Sequence, residues 1–255
     1  MKTILKPTKL LFVSCLLLLT ACSCSKDDEG NNGEPKAEKG YATGKVVDGQ
    51  GNPIAGAKIL LDNTVYYASY IHGSTKEDGT YKVRVEPGSW RTFAYVEKEY
   101  NGQKYRMELC PDKTDSYSDE GAVRNFVWKL EGRMPWEVES YYGGLIKLRG
   151  GLNFDGNWDD IELTLTPIGP MIDGSQGKTI QLRKGDNRWK QNWEIRDIPI
   201  SRYMVTAILK GDNGDVPLKI QDWYTQGELK SELQLDFTPG DAGTPGCSAY
   251  ILIDY

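Results

Sequence analysis

The chain has 255 residues, enough for one or two domains with a sizeable core, and a formal net charge of −5. Its 28 Gly and 12 Pro favour short strands joined by tight turns over long helices, and 15 Tyr with 7 Trp against 5 Phe make it rich in amphipathic rings. A single histidine, His72, argues against histidine-built metal centres, and the acidic balance argues against a nucleic-acid partner, which needs a clustered positive face.

Residues 1–21 read as a secretory signal. Lys2, Lys6 and Lys9 precede an apolar run, Leu10 to Leu19, that is too short to span a bilayer as an anchor. The stretch Leu19-Thr20-Ala21-Cys22 resembles a bacterial lipobox, in which a small residue stands before the cysteine whose thiol takes the lipid; the resemblance makes Cys22 the lipid-attachment residue, with Cys24 the poorer candidate. Acyl chains then tie the protein to a membrane, each buried CH2 contributing about 0.8 kcal/mol. Ser25-Lys26-Asp27-Asp28-Glu29 is similar to the surface-export signal of lipoproteins in one group of Gram-negative bacteria, which implies the outer membrane and the cell surface; the same acids also suit a plain solvated tether on the periplasmic face. Residues 22–39 hold almost nothing apolar and are expected to form an acidic, disordered tether with a reach of about 20–25 Å. Residues 1–21 carry three Lys and no acid, so their removal leaves a balance of −8.

From residue 40 the pattern alternates in the manner of strands. Gly44 to Asp48 opens a strand, Gly49-Gln50-Gly51-Asn52-Pro53 turns the chain, and Ala57 to Leu61 forms the next. Asp78-Gly79 leads into Tyr81 to Val85, Pro87-Gly88 into Trp90 to Val96, and Asn101-Gly102 signals a hairpin. Phe126, Val127, Trp128 and Leu130 close the stretch.

The order "GKVVDGQGNPIAGAKILL" followed by "STKEDGTYKVRVEPGSWRTFAYV" resembles the carboxypeptidase regulatory-like domain. That resemblance covers residues 40–132 and implies a transthyretin-like (prealbumin-like) β-sandwich, an accessory domain without catalytic residues of its own. Two departures stand out: residues 62–74 lengthen the middle loop, and residues 110–121 insert a polar stretch before the last strand.

Residues 140–255 echo the plan. Ile161 to Pro167 alternates, Trp193 to Pro199 and then Tyr203 to Leu209 follow one another as Tyr81 to Pro87 and Trp90 to Val96 do, and Leu233, Leu235, Phe237 and Ser248 to Asp254 supply two more strands. The expected fold is all-β, two tandem sandwiches after the signal and tether, with a single larger β domain as the alternative. Stacking two sheets buries the apolar face that each would otherwise leave wet.

No residues stand in a catalytic pattern, and no cofactor is implied. Cys110 and Cys247, the only cysteines of the two modules, are either a cross-module disulfide or two separate thiols. Asp155, Asn157 and Asp159 alternate as calcium ligands do, but Thr166 stands where the closing Glu would fall, so a solvated turn is the reading; Asp212 to Asp215 reads likewise. A Lys45–Asn125 isopeptide bond, as in pilin-type sandwiches, would need a neighbouring carboxylate, and Ala94 occupies the place searched for it. The ring-bearing residues Tyr66, Tyr67, Tyr70, Phe93, Tyr95, Trp158 and Trp223 are candidate ligand-facing positions, because flat rings match the apolar faces of sugars. Packing at the module junction is the alternative role for them. The favoured function is a non-enzymatic surface lipoprotein that binds or scaffolds. Its partners would be the membrane and then a glycan or other surface proteins, as an accessory of glycan uptake or an adhesin-like subunit.

Overall fold

The computed structural model describes residues 37–136, 138–191, 193–240 and 246–255. The signal, Cys22 and most of the tether lie outside them. The fold is all-β: the described residues hold no α-helix, only one 3-10 turn, and no helix long and apolar enough to cross a membrane.

The first half contains β1 (Tyr41–Val47), β2 (Lys58–Asn63), β3 (Tyr70–Ser74), β4 (Thr80–Arg84), β5 (Trp90–Tyr100) and β6 (Gln103–Glu108), then the short β7 (Cys110–Pro111), β8 (Ala122–Val123) and β9 (Phe126–Val127). One sheet has the order β4-β1-β9-β7, with β8 also on β1; the other is β3-β2-β5-β6. Alternation decides what each strand buries. Val46 of β1 and Tyr81 and Val83 of β4 turn inward from one sheet, Ile59 and Leu61 of β2 and Ala94 and Val96 of β5 from the other. Where a β3 side chain would stand, Gly73 lets Val83 approach: an added Cβ would lie 2.3 Å from its methyl carbon. The expected long loop over 62–74 is therefore shorter, because 70–74 pairs with β2 from Lys58↔Ser74 to Asp62↔Tyr70.

Parallel to β1 lies an interrupted strand. Ala42 pairs with Ala122 and Val46 with Phe126 in one unbroken register, and only at Arg124 and Asn125 between them is the ladder interrupted. There the Asn125 carboxamide stands in for the ladder, its Oδ1 accepting from the Lys45 amide at 3.0 Å. The Arg124 carbonyl lies against Gly44, where an added Cβ would sit 1.8 Å from it. Tyr81 donates its hydroxyl to that same carbonyl at 2.7 Å.

The second half contains β10 (Gly144–Gly150), the 3-10 turn Trp158–Asp160, β11 (Ile161–Pro167), β12 (Ile180–Arg183), β13 (Trp189–Gln191), β14 (Glu194–Ile198), β15 (Tyr203–Leu209), β16 (Val216–Asp222), β17 (Leu233–Leu235), β18 (Thr238–Pro239) and β19 (Cys247–Asp254). Its strand order repeats that of the first half. The run β14-β10-β19, with β10 and β19 parallel, matches β4-β1-β9, and β12-β11-β15-β16 matches β3-β2-β5-β6. One joint differs. Val216 to Leu218 pair with β15 while Lys219 to Asp222 pair with β19, so β16 switches partners midway and fuses the two sheets into one of ten strands.

The described residues belong to one compact unit, and no strand of one half pairs with a strand of the other. The β5–β6 hairpin makes the junction. Beside its Asn101-Gly102 turn, Tyr100 donates its hydroxyl to the Pro170 carbonyl at 2.8 Å and accepts from the Arg202 amide at 3.2 Å. Tyr105 and Gln103 both donate to the Phe237 carbonyl, at 2.6 and 3.3 Å.

Candidate functional site

A cleft of about 620 Å³ opens in the second half, beside the start of β10 and the end of β14. Its floor begins with a bulge. Gly144 pairs with Ile198 and Ile146 with Ile195, so Arg196 and Asp197 together oppose Leu145. Such an extra residue re-aims the side chains beside it. Asp197 takes φ +65° and receives the Gly132 amide on both oxygens, at 2.8 and 2.9 Å, and the Gly143 amide at 3.2 Å. Burial raises its pKa above the ordinary carboxylate value, against the lowering effect of these amides. Its neighbour Arg196 is held by Glu194 at 2.7 Å and by the Glu139 carbonyl at 2.9 Å.

The walls are aromatic. Tyr141, Tyr224 and Tyr250 line the cleft, and Tyr224 is 81% exposed. Asp222 accepts the Tyr224 amide at 2.7 Å and the Thr225 amide at 3.2 Å, a side-chain turn that swings the chain out of β16 and presents Trp223 and Tyr224 to Tyr250. Both ring centroids lie 5.7 Å from that of Tyr250, Trp223 at 74° and Tyr224 at 33°.

Cations flank these rings. The strand β10 points Ile146 and Leu148 into the core, so Lys147 and Arg149 project outward. Register places Lys147 opposite Tyr250. Its ammonium stands 5.8 Å from the Tyr250 centroid, Arg149 stands 5.0 Å from Trp223, and Lys190 stands 5.7 Å from Tyr141. None of the three makes an ion pair among the described residues; Glu194, across from Lys147, turns to Arg196 instead. Rings with basic side chains at their faces offer stacking for apolar surface and charge for an anion.

The seven ring residues singled out by sequence do not converge. Tyr66, Tyr67 and Tyr70 lie on the β2–β3 turn and the start of β3, and Tyr70 faces His72 at 6.4 Å. Phe93 is covered by Trp136 of the segment joining the halves, at 4.9 Å, and Tyr95 lies under Arg106 at 3.8 Å. Trp158 packs edge-on against Phe154 and Trp193. Only Trp223 adjoins the cleft. Tyr224 and Tyr250 were not singled out, because the contact of Tyr250 with Lys147 arises from a parallel pairing about a hundred residues apart in sequence.

Of the two readings of Cys110 and Cys247, the structure has the separate thiols: both are free. Cys110 in β7 faces the Tyr142 hydroxyl, whereas Cys247 is buried at the start of β19, near Tyr105, where burial pushes its pKa up to about 11. In the Asp155–Asp160 loop, Asn157 caps the 3-10 turn by accepting the Asp159 amide at 3.2 Å, and Asp159 pairs with Lys184. Lys45 and Asn125 do adjoin, but through the Lys45 amide. The Asn125 Nδ2 donates to Asp112 at 3.0 Å, so its carboxamide is engaged as a piece of the ladder.

No protein-family model and no curated protein matches the sequence. Among solved structures, the chain is similar to the Bacillus anthracis TIE protein, at 15% identity and a TM-score of 0.30 over 85% of this chain; it spans about a third, 34%, of that one. A C-terminal fragment of the pilus adhesin SpaC from Lactobacillus rhamnosus GG aligns at 9% identity and a TM-score of 0.28, covering 84% of this chain and 97% of the fragment. A single B repeat unit of the collagen-binding surface protein of Staphylococcus aureus aligns at 11% identity and a TM-score of 0.23, covering 86% and 99%. At these scores the functional reading rests on the site itself.

Proposed function

We propose that the chain is a non-enzymatic, lipid-anchored binding protein of the outer cell surface, built from two tandem sandwich modules, that takes carbohydrate in the cleft of its second half. The observation that carries the reading is the exposed Tyr224 ring beside Tyr250 and Trp223, flanked by Lys147 and Arg149. A cleft of about 620 Å³ lies within the size range of small-molecule sites. The carboxylates nearby support binding rather than turnover: Asp197 is occupied by two backbone amides, and Glu194 by Arg196. The repeated strand order of the halves supports the tandem division.

The cations give preference to anionic sugars, those bearing carboxylate or sulfate. Detergent-solubilised full chain applied to an array of neutral, uronate-bearing and sulfated glycans is expected to retain the anionic members. Tyr224→Ala should weaken retention about tenfold, the scale of one stacked ring. An array that stays silent, or binding untouched by Tyr224→Ala, overturns the reading.

A further inference from the structure

The first half has two distinct ends. Ten steps along β5, from Trp90 to Tyr100, separate them by roughly 33 Å. At the Tyr100 end the hairpin meets the second half. At the Trp90 end the chain enters the fold: the Gly40 carbonyl accepts from the Val85 amide at 2.8 Å, and the Gly40 amide donates to Asp119 at 2.7 Å. The β2–β3 turn occupies the same end. Its Thr64 amide donates to the Ser89 carbonyl at 2.8 Å, and only the short link from Val85 to Ser89 lies between that contact and Gly40.

This turn displays consecutive ring and aliphatic side chains. Val65 and Tyr66 are each 70% exposed and Tyr67 is 100% exposed. Hairpin turns of this kind ordinarily carry Asn, Gly or Asp. The backbone beneath is nonetheless fixed. The buried Asn63 accepts the Val65 and Tyr66 amides on Oδ1, both at 2.9 Å, its own amide donates to the Ser69 carbonyl at 3.0 Å, and Ala68 takes φ +52°. Two amides of the turn are thus already paired, which lowers the cost of taking this tip out of water. Three basic groups at this end are matched by acids, Lys39 by Glu120, Lys82 by Glu38 and Arg84 by Glu86.

In sequence, Cys22 precedes Glu38 by sixteen residues. That length spans at most about 55 Å when extended and about 20–25 Å as a coil. A lipid on Cys22 would therefore hold the Trp90 end of the first half near the bilayer. We propose that Val65, Tyr66 and Tyr67 form a second membrane contact, inserted at the boundary of headgroups and acyl chains. There a tyrosine keeps its hydroxyl wet and its ring in lipid. The contact orients the protein with its second half directed away from the membrane. It is apolar rather than electrostatic, and it becomes effective through the high local concentration that the anchor provides. The proposal rests on the reading of Cys22 as lipidated.

Full-length lipidated protein carrying Tyr67→Trp, reconstituted in phosphatidylcholine vesicles with bromine on the shallow acyl carbons, reads the contact as the emission added over the parent protein. The added emission is expected to shift to the blue and to lose most of its intensity, with no recovery in high salt. The same substitution combined with Cys22→Ser should leave it unquenched. If the protein incorporates acyl label and floats with the vesicles while the introduced indole stays unquenched, the membrane contact is overturned and the anchor stands. If neither label nor flotation is found, the anchor reading fails and the contact with it. Added emission that responds to protein concentration instead of lipid would assign the turn to a second copy, which also overturns the proposal.

Discussion

The hydroxyl of Tyr105, a residue 2% exposed, donates to the Phe237 carbonyl at 2.6 Å across the junction of the two halves. Gln103 donates to the same carbonyl at 3.3 Å, so two side chains of one strand hold one acceptor of the other half. Tyr105→Phe is expected to cost about 1 kcal/mol, because Gln103 keeps the acceptor satisfied. Adding Gln103→Ala leaves the carbonyl unpaired and should cost more than the two single changes summed, a coupling that urea unfolding of all three variants measures. Strict additivity would show that the pair does not act as a unit.

A second prediction concerns Arg124. Its side chain is 6% exposed, and its guanidinium donates to the Val123 carbonyl, the Asp115 carbonyl and the Asp115 carboxylate, at 2.8, 3.0 and 2.8 Å. Asp115 is 70% exposed and therefore contributes little as an ion-pair partner. Asp115→Asn should cost less than about 1 kcal/mol. Arg124→Ala should cost roughly 3 kcal/mol, through lost packing and two carbonyls left without their donor. Thermal unfolding of the two variants separates them, and equal costs would contradict this ordering.

Cys247 offers a chemical test. With burial holding its pKa near 11, the thiol stays protonated at pH 8 and is a poor nucleophile. Native protein treated with iodoacetamide and mapped by mass spectrometry should carry no label at Cys247, and should carry it after unfolding in urea. Peptides joined through Cys110 and Cys247 under non-reducing conditions would contradict the free-thiol assignment.

The raised pKa of Asp197 makes stability depend on pH in a definite sense. Below the ordinary value of 3.8 the carboxyl is protonated whether or not the chain is folded, and it costs nothing. As pH rises past 3.8 the unfolded chain ionises first, and stability falls until Asp197 has also lost its proton in the fold. Asp197→Asn keeps an acceptor for the Gly132 and Gly143 amides and tolerates the left-handed backbone. Subtracting the unfolding free energy of the variant from that of the parent, between pH 3.5 and 7, should give a curve that declines with pH. A flat difference would mean that burial does not perturb this group.

How far these features could be read in advance depended on the range of the contacts that make them. Alternation located β1, β2, β4, β5, β11, β15 and β19, where the apolar face is set within a few residues, and Asn101-Gly102 marked the hairpin directly. The edge strand β3 was missed because Tyr70-Ile71-His72-Gly73-Ser74 buries no large side chain and turns a glycine toward the core. The strand expected from Phe126 to Leu130 shrank to two residues, since its partner β1 ends at Val47 and turns away at Asp48 to Asn52, leaving nothing for the ladder to continue on. The cleft was hidden more deeply. Its tyrosines come from the joining segment, the end of β16 and the middle of β19, and only tertiary pairing assembles them. The turn at Val65 to Tyr67, by contrast, is local: it falls within the lengthened loop read at 62–74, whose Tyr66 and Tyr67 were read as facing outward.

The position of β19 has a consequence for biogenesis. It lies between β10 and β16 and is the latest of the strands to leave the ribosome. Until residues 247–254 have been synthesised, β10 and β16 each present an open edge, and the parallel pairing with β10 must close over about a hundred residues. The second half is therefore exposed to edge-to-edge association until that closing strand is made, and factors that shield such edges would govern how much of it matures.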